Sequence, residues 1–402
     1  MRIVLSLLFI LSFHFLYSQS GCTDSNALNF DPNALQNNGS CTYSPSQADF
    51  TLKGAFSSVI SESSGVAFFN GDILTHNDSG NGPEIFIVDS ANGNLKQTII
   101  VDNYSNTDWE DICVDENYIY VGDFGNNGGS RKDLKILKIK RSDITTATTI
   151  HVNAEAINFS YADQTSYISS SSNNFDCESI FSMGDSLYIL SKDRGDGKTR
   201  VYKTSKIPST YILSYYTEFD VHCLITGADY NPKTKEVALI GYDQSKFSSY
   251  MWILSDFKKD DFLGGNKKKF IASNFHYWQT EGIAFDTINN KIFISCESAG
   301  FVLASLFTLN HTEAILTDIQ PSLNEPSFQL FPNPATEYIQ ITNLRQITSI
   351  EIYDIMGQVI FSEPVSTNTY RLQLNRNKFI AGMYFIRING ADYQSQQSFI
   401  LK

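Results

Sequence analysis

An acidic pattern that recurs along the chain constrains its fold more than any other feature. Thr107-Asp108-Trp109-Glu110-Asp111-Ile112-Cys113-Val114 places acids ahead of a short apolar strand. A turn at Glu116-Asn117 follows, and Tyr118-Ile119-Tyr120-Val121-Gly122-Asp123 ends a second apolar strand in another acid. The same order returns elsewhere: Ser64-Gly65-Val66 leads to Asp78, Glu178-Ser179-Ile180 to Asp193, Thr226-Gly227-Ala228 to Asp243, and Glu281-Gly282-Ile283 to Glu297. The units start at 64, 110, 178, 226 and 281, so they lie 46, 68, 48 and 55 residues apart. Periods of ~40–50 residues with several strands in each are the mark of propeller blades, small sheets that bury their faces only by stacking on one another. The chain therefore reads as all-β, a β-propeller of five blades over residues 49–316.

Hairpin turns support that reading. Blade one holds Gly65–Phe69, Asp72–His76, Glu84–Asp89 and Thr98–Asp102, with Asn70-Gly71 and Asn92-Gly93 at connections where positive φ is needed. Blade five, from Ile283–Phe285, Lys291–Cys296 and Ser305–Leu309, is one strand short; Phe50–Phe56 can supply it and close the ring without an open edge. A sixth, degenerate blade stays open at Asp163–Asp176 or Thr312–Ile319.

Net charge and termini bound the function. The charge of −13 repels a phosphate backbone and argues against nucleic acid as a partner. Met1-Arg2 and the apolar Ile3–Tyr17 read as a signal peptide over 1–18, cleaved at Ser18 or Ser20. No later run reaches the ~18–20 apolar residues that cross a bilayer, so no transmembrane segment is expected in the mature chain. Gln19-Ser20-Gly21-Cys22 departs from a lipoprotein box by placing Gln where an aliphatic residue is usual. Six cysteines in an exported chain make disulfides available. Cys22 and Cys41 bracket a segment too small to hold a core unaided, and their bridge would staple a mini-module at 21–43. Within it Asp24, Asn26, Asp31 and Asn37 suit either calcium or Asx turns. Cys113 and Cys296 read as small buried apolar residues. Cys177 and Cys223 leave open a bridge between neighbouring blades.

Composition changes after Thr317–Ser327, which reads as a linker with Pro321 and Pro326. Phe331-Pro332-Asn333-Pro334, then Tyr353-Asp354-Ile355-Met356-Gly357-Gln358, then Gly382-Met383-Tyr384 punctuate some seven short strands over 328–402, a small β-sandwich. These elements in this order resemble the type A C-terminal sorting domain of the type IX secretion system of Bacteroidetes. The resemblance implies handling by that secretion machinery and a secreted or outer-surface location. The Gly-Cys-Thr-Asp and Asn-Gly-Ser-Cys ends of the mini-module are similar to short modules in surface proteins of the same bacteria.

In a propeller the first strand of each blade starts, and the second ends, on the same face beside the axis. That topology gathers Asp78, Glu110, Asp123, Glu178, Asp193, Asp243, Glu281 and Glu297 at one mouth. Crowded carboxylates raise one another's pKa or recruit a cation, and hard oxygen donors suit calcium. This face resembles that of phytase-like secreted propellers, which implies a phosphate ester held by bases such as Arg131, Lys192 and Arg194. His76, two residues before Asp78, is placed either to reach the mouth or to serve as a hydrogen-bonded structural residue beside a strand end. Trp109, Tyr277 and Trp278 precede inner strands, placed either to stack on a surface glycan or to pack between blades. No Gly-x-Ser-x-Gly elbow or tight zinc spacing occurs, and no catalytic residue is assigned. The expected activity is ligand binding through a calcium-loaded mouth without turnover. The alternatives are a calcium-dependent phosphoester hydrolase and a structural or adhesive surface module.

Overall fold

The computed structural model describes residues 19–243, 248–272, 279–298, 303–311, 328–342, 347–354, 358–365, 370–375, 379–390 and 394–402. The expected signal peptide, Tyr277, Trp278, Thr312–Ile319 and the expected 317–327 linker lie outside them. Apart from one short 3-10 turn at Arg141–Asp143 and the lone helical residue His311, the described residues form strands, turns and loops.

The chain divides into two compact units, residues 1–318 and 319–402. The first is built from five large sheets, each begun by consecutive antiparallel strands, and a two-stranded parallel sheet of Ser20–Gly21 and Gln36–Asn37. Sheet one takes Ser63–Phe69, Asp72–Asn77, Glu84–Val88 and Leu95–Val101. Sheet two takes Trp109–Val114, Tyr118–Asp123, Lys135–Lys140 and Glu155–Tyr161. Sheet three takes Cys177–Met183, Ser186–Ser191, Thr199–Ser205 and Tyr215–Phe219. Sheet four takes Leu224–Asn231, Glu236–Asp243, Ser248–Ser255 and Asn266–Ala272. Sheet five takes Thr280–Asp286, Lys291–Cys296 and Ser305–Asn310, and its outer strand, Thr51–Ala55, comes from the other end of the unit and pairs antiparallel with Ser305–Thr308. Asp163–Asp176 carries no strand.

First strands are buried on both faces, which explains their near-continuous small and apolar sequence; outer strands alternate. Each pair of consecutive sheets closes over its own apolar cluster. Trp109, Ile112 and Val121 of sheet two pack on Leu74 and Ile85 of sheet one, and Ala284 and Phe293 of sheet five pack on Val66 and Phe86 of sheet one. First strands adjoin in one closed circuit, one to two to three to four to five and back to one. Glycines permit that approach: a Cβ on Gly282 would come within 2.5 Å of Val66 N, and one on Gly65 within 2.7 Å of the Asp111 Cα. The arrangement is propeller-like.

Three further strands join the outer edges in parallel and had no clear signal in the sequence, being short and set inside connections. Thr149–Val152 lies beside sheet one, Thr210–Leu213 beside sheet two and Ser46–Ala48 beside sheet four. Cys22 and Cys41 form a disulfide, whereas Cys113, Cys177, Cys223 and Cys296 are buried without one, so no bridge joins Cys177 to Cys223. The Asp24, Asp31 and Asn37 side-chain oxygens accept from the amides of Asn26, Asn33 and Gly39, as Asx turns do.

In the second unit, Gln329–Phe331, Tyr338–Thr342 and Tyr370–Gln373 form one sheet. Val359–Pro364, Ile347–Tyr353, Gly382–Gly390 and Gln394–Leu401 form another. Ile339 and Ile341 from the first and Ile350, Ile386 and Phe399 from the second share one apolar cluster.

Candidate cation site at the acidic mouth

A register break recurs at the start of every first strand. The pairing skips between Ser63 and Val66, between Cys177 and Ser179, between Ile225 and Gly227, and between Thr280 and Ile283; in sheet two it passes from Asp111 to Trp109 across Gly122/Asp123. The residues within the breaks include Ser64, Glu110, Glu178, Thr226 and Glu281, the repeat starts of the sequence. A β-bulge re-aims a side chain out of the pleat. It takes these five out of the pleat where neighbouring first strands adjoin. Ser64 Oγ donates to Glu110 O, and Thr226 Oγ1 to Thr280 O, tying neighbouring bulges together.

Three carboxylates come together beside the bulge of sheet two. Asp78, Asp108 and Glu110 each bring an oxygen to within 4.8 Å of the others. Among the described residues none of them forms a salt bridge; Asp78 accepts from the Ser79 amide, and the Ser64 hydroxyl reaches Glu110 Oε2 at only 3.5 Å. Gly125 makes room for them, since a Cβ there would run into Glu110 Oε1 and the Asp108 carboxylate. Asp123 stands behind Asp108 and accepts from its backbone amide at 3.2 Å.

Burial, then Glu178, Asp78, Asp108 and Asp176 push the Glu110 carboxyl well above the usual range. Burial and then Asp78 raise Asp108 to about 6, against the pull of Arg131. Asp78 is raised by burial first, with Glu62 adding and Lys192 opposing. On the far side, burial lifts Glu178 to about 8 although Lys192 Nζ stands 3.1 Å away and Arg194 3.8 Å. Burial pulls the Lys192 ammonium down, but Glu178 and Glu281 outweigh it and hold it charged. Glu281 is raised well above the usual range by burial, with Glu178, Glu297 and Asp78 adding, and Glu297 by burial and Asp78 to about 7.

Not all of the expected acids belong to this group. Asp123 is neutralised by Arg131 at 2.9 Å and Lys135 at 3.3 Å. Asp193 pairs with Arg200 and, raised to about 7 by burial, answers to Arg200 and Asp196 rather than to the mouth acids. Asp243 ends the second strand of sheet four opposite Ser248. The expected bases are committed within the fold: Arg131 to Asp123, Asp133 and Gly125 O, Lys192 to Glu178, and Arg194 to Asp176 and Asn127. Of the two places open to His76 and Trp109, both take the structural one, in the core, and not a ligand contact. His76 is fully buried and drawn down to about 4 by desolvation, and its Nδ1 donates to Asn77 O. Trp109, also fully buried, meets it edge-on at 5.7 Å, so neither can stack on a sugar.

Asp108, Asp176 and Asp111 had no place in the sequence expectation. Asp108 and Asp176 stand two residues before a bulged Glu, and Glu62 stands two before Ser64, a second repeating acid position. Asp111 lies beneath the mouth, where its carboxylate accepts from Ile112 N, from Ile180 N of sheet three at 2.9 Å and from Ala228 N of sheet four at 3.4 Å.

Residues 329–402 match the family model described as the secretion system C-terminal sorting domain. The chain ends in that sorting domain. It marks this protein for the type IX secretion system, hence for the cell surface or release, and no helix among the described residues is long and apolar enough to cross a membrane. No curated protein matches the chain. Among solved structures it is similar to PorZ, an essential bacterial surface component of the type-IX secretion system of Porphyromonas gingivalis, at 12% identity and a TM-score of 0.30, over 85% of this chain and 45% of that one. Kuenenia stuttgartiensis hydrazine synthase aligns at 12% identity and a TM-score of 0.31, over 57% and 60% of the two chains. A GH43_1 enzyme from Xanthomonas citri aligns at 9% identity and a TM-score of 0.39, over 65% and 90%. The chain thus spans less than two thirds of the first two.

Proposed function

We propose that this exported protein is a five-bladed β-propeller that binds its ligand through a divalent cation held by Asp78, Asp108 and Glu110. Calcium fits the donor set, which is all carboxylate oxygen, and accepts irregular geometry. Three carboxylates supply part of the six to eight oxygens that calcium takes at ~2.3–2.6 Å; the remaining positions are where a ligand would enter. A signal peptide at 1–18 and a C-terminal sandwich at 328–402 serve export.

The observation that carries this reading is the distribution of charge. Lys192 and Arg194 offset Glu178 and Asp176, and Arg131 and Lys135 offset Asp123, which leaves Asp78, Asp108 and Glu110 with no ion pair among the described residues. Like charges so close either hold protons or hold a cation. Binding without turnover is preferred over phosphoester hydrolysis, because the bases that would grip a phosphate are already engaged by carboxylates.

Calorimetric titration of the full chain with calcium, repeated on Asp108→Asn and alongside a phosphomonoester assay, tests the proposal. Heat that the variant loses, without turnover, supports it. Calcium-dependent turnover would favour the hydrolase, and absence of heat the structural module.

A further inference from the structure

The disulfide-bonded segment at 21–43 carries no more than a two-residue parallel pairing, Ser20–Gly21 beside Gln36–Asn37, yet it is fastened to the outer edge of sheet four, just ahead of the strand that closes the ring in sheet five. Asn37 Nδ2 donates to Asp256 Oδ2 at 2.8 Å and to Asn266 Oδ1 at 2.7 Å, both on sheet four or its outer loop. Lys267 Nζ reaches back to Gly39 O at 3.1 Å while also donating to Leu263 O and Gly265 O. Gly39, at φ +74, lies against the same loop so closely that a Cβ would come within 2.7 Å of Gly264 O. Lys268 stands over the Tyr43 ring, whose hydroxyl donates to Asp24 inside the module.

The chain then runs directly from this dock into the seam. Ser46–Ala48 adds a parallel strand to sheet four, and Thr51–Ala55 completes sheet five. That closing strand is short and mostly exposed or half-buried, with its register broken between Leu306 and Phe307 of its partner. The strand itself buries little, so its hold rests on the packing at its ends: Ala48 and Phe50 at its start are buried in the cluster of sheets four and five, and Phe56 at its end in that of sheets five and one.

We infer that the module is a redox-sensitive latch on ring closure: docked through Asn37 and Gly39 it holds Ser46–Ala48 and Thr51–Ala55 in place, and reducing Cys22–Cys41 releases them. The step is thiol–disulfide exchange. An external dithiol attacks one sulfur, the Cys22–Cys41 bond breaks, both cysteines end as thiols, and the dithiol is oxidised to its own disulfide. The other cysteines carry no disulfide, so a reductant has a single target. In the oxidising space outside the inner membrane the bond persists. The latch rests on the observed strand pairing and is independent of the cation reading.

Hydrogen exchange of the full chain, read by mass spectrometry with and without a dithiol, tests it. The amides of Ser46–Ala48, Thr51–Ala55 and Ser305–Asn310 should lose protection by about tenfold or more on reduction, while those of Tyr118–Asp123 change by less than about twofold. Asn37→Ala with the disulfide intact should loosen the same three segments. Unchanged protection at Thr51–Ala55 in either case overturns the latch, and so does loss across all five sheets at once.

Discussion

Replacing Glu297 by glutamine removes one mouth charge while keeping the side-chain shape, and the structure assigns a sign and a size to the effect. Burial and then Asp78 raise this carboxyl from 4.5 to about 7, against Lys192. In the unfolded chain it titrates near its ordinary value. Below that value both states are protonated and the group is neutral in its effect on stability; between the two values the fold binds the extra proton, so stability falls as pH rises. Above the folded value the full cost is present. At 1.36 kcal/mol for each unit of pKa difference, the ionised group costs up to roughly 3 kcal/mol, and its partial exposure reduces this to about 1–2 kcal/mol. Glu297→Gln should therefore raise the melting temperature at about pH 8 by roughly 2–4 °C and leave it unchanged near pH 4. Thermal unfolding followed by circular dichroism at both pH values reads this directly. Millimolar calcium should shrink the gain, because a cation at Asp78 withdraws part of the repulsion. A loss of stability at the higher pH, or an equal change at both, would refute the electrostatic account of the mouth.

Other substitutions separate the triad from its surroundings. Asp108→Asn or Asp78→Asn should weaken calcium binding by about tenfold or more in calorimetry, whereas Asp193→Asn, whose carboxylate is paired with Arg200, should leave it unchanged. Gly125→Ala forces a methyl into the space of the Glu110 and Asp108 carboxylates and should abolish calcium binding while costing about 1–3 kcal/mol in denaturant unfolding. Asp111→Ala strands the buried amides of Ile180 and Ala228 and should cost roughly 2–4 kcal/mol by the same measure.

The residues that defined the repeat in the sequence turned out to mark a geometric event. Ser64, Glu110, Glu178, Thr226 and Glu281 all lie in a register break, and an alternating pattern cannot announce a bulge because the extra residue is what upsets the alternation. What the spacing did convey is that the five positions are equivalent, which is enough to bring them to one opening. The parallel edge strands at Thr149–Val152 and Thr210–Leu213 escaped notice for a different reason. Each is short and pairs with a sheet other than the one its neighbours in sequence belong to.

Which acids stay uncompensated depends on a strand that the repeat does not include. Asp123 faces Lys135 in register at the start of the third strand of sheet two, and Asp193 is met by Arg200 at the start of the third strand of sheet three. Sheets one and five begin that strand with Glu84 and Ser305, which bring no positive charge, so Asp78 and Glu297 keep theirs exposed to the mouth. For Asp123 and Asp193 the partner thus comes from the start of the third strand, and the third-strand starts held that information in the sequence. Asp108 follows from the same logic: it stands two residues before the bulged Glu110, while Arg131 spends its guanidinium on Asp123, Asp133 and Gly125 O and comes no nearer than a through-space pull. Supplying a cation at the start of the third strand of sheet one, by Glu84→Lys, would give Asp78 the partner that its counterparts already have. If neutralising Asp78 in this way left calcium binding at full strength, the uncompensated charge would not be what selects the site.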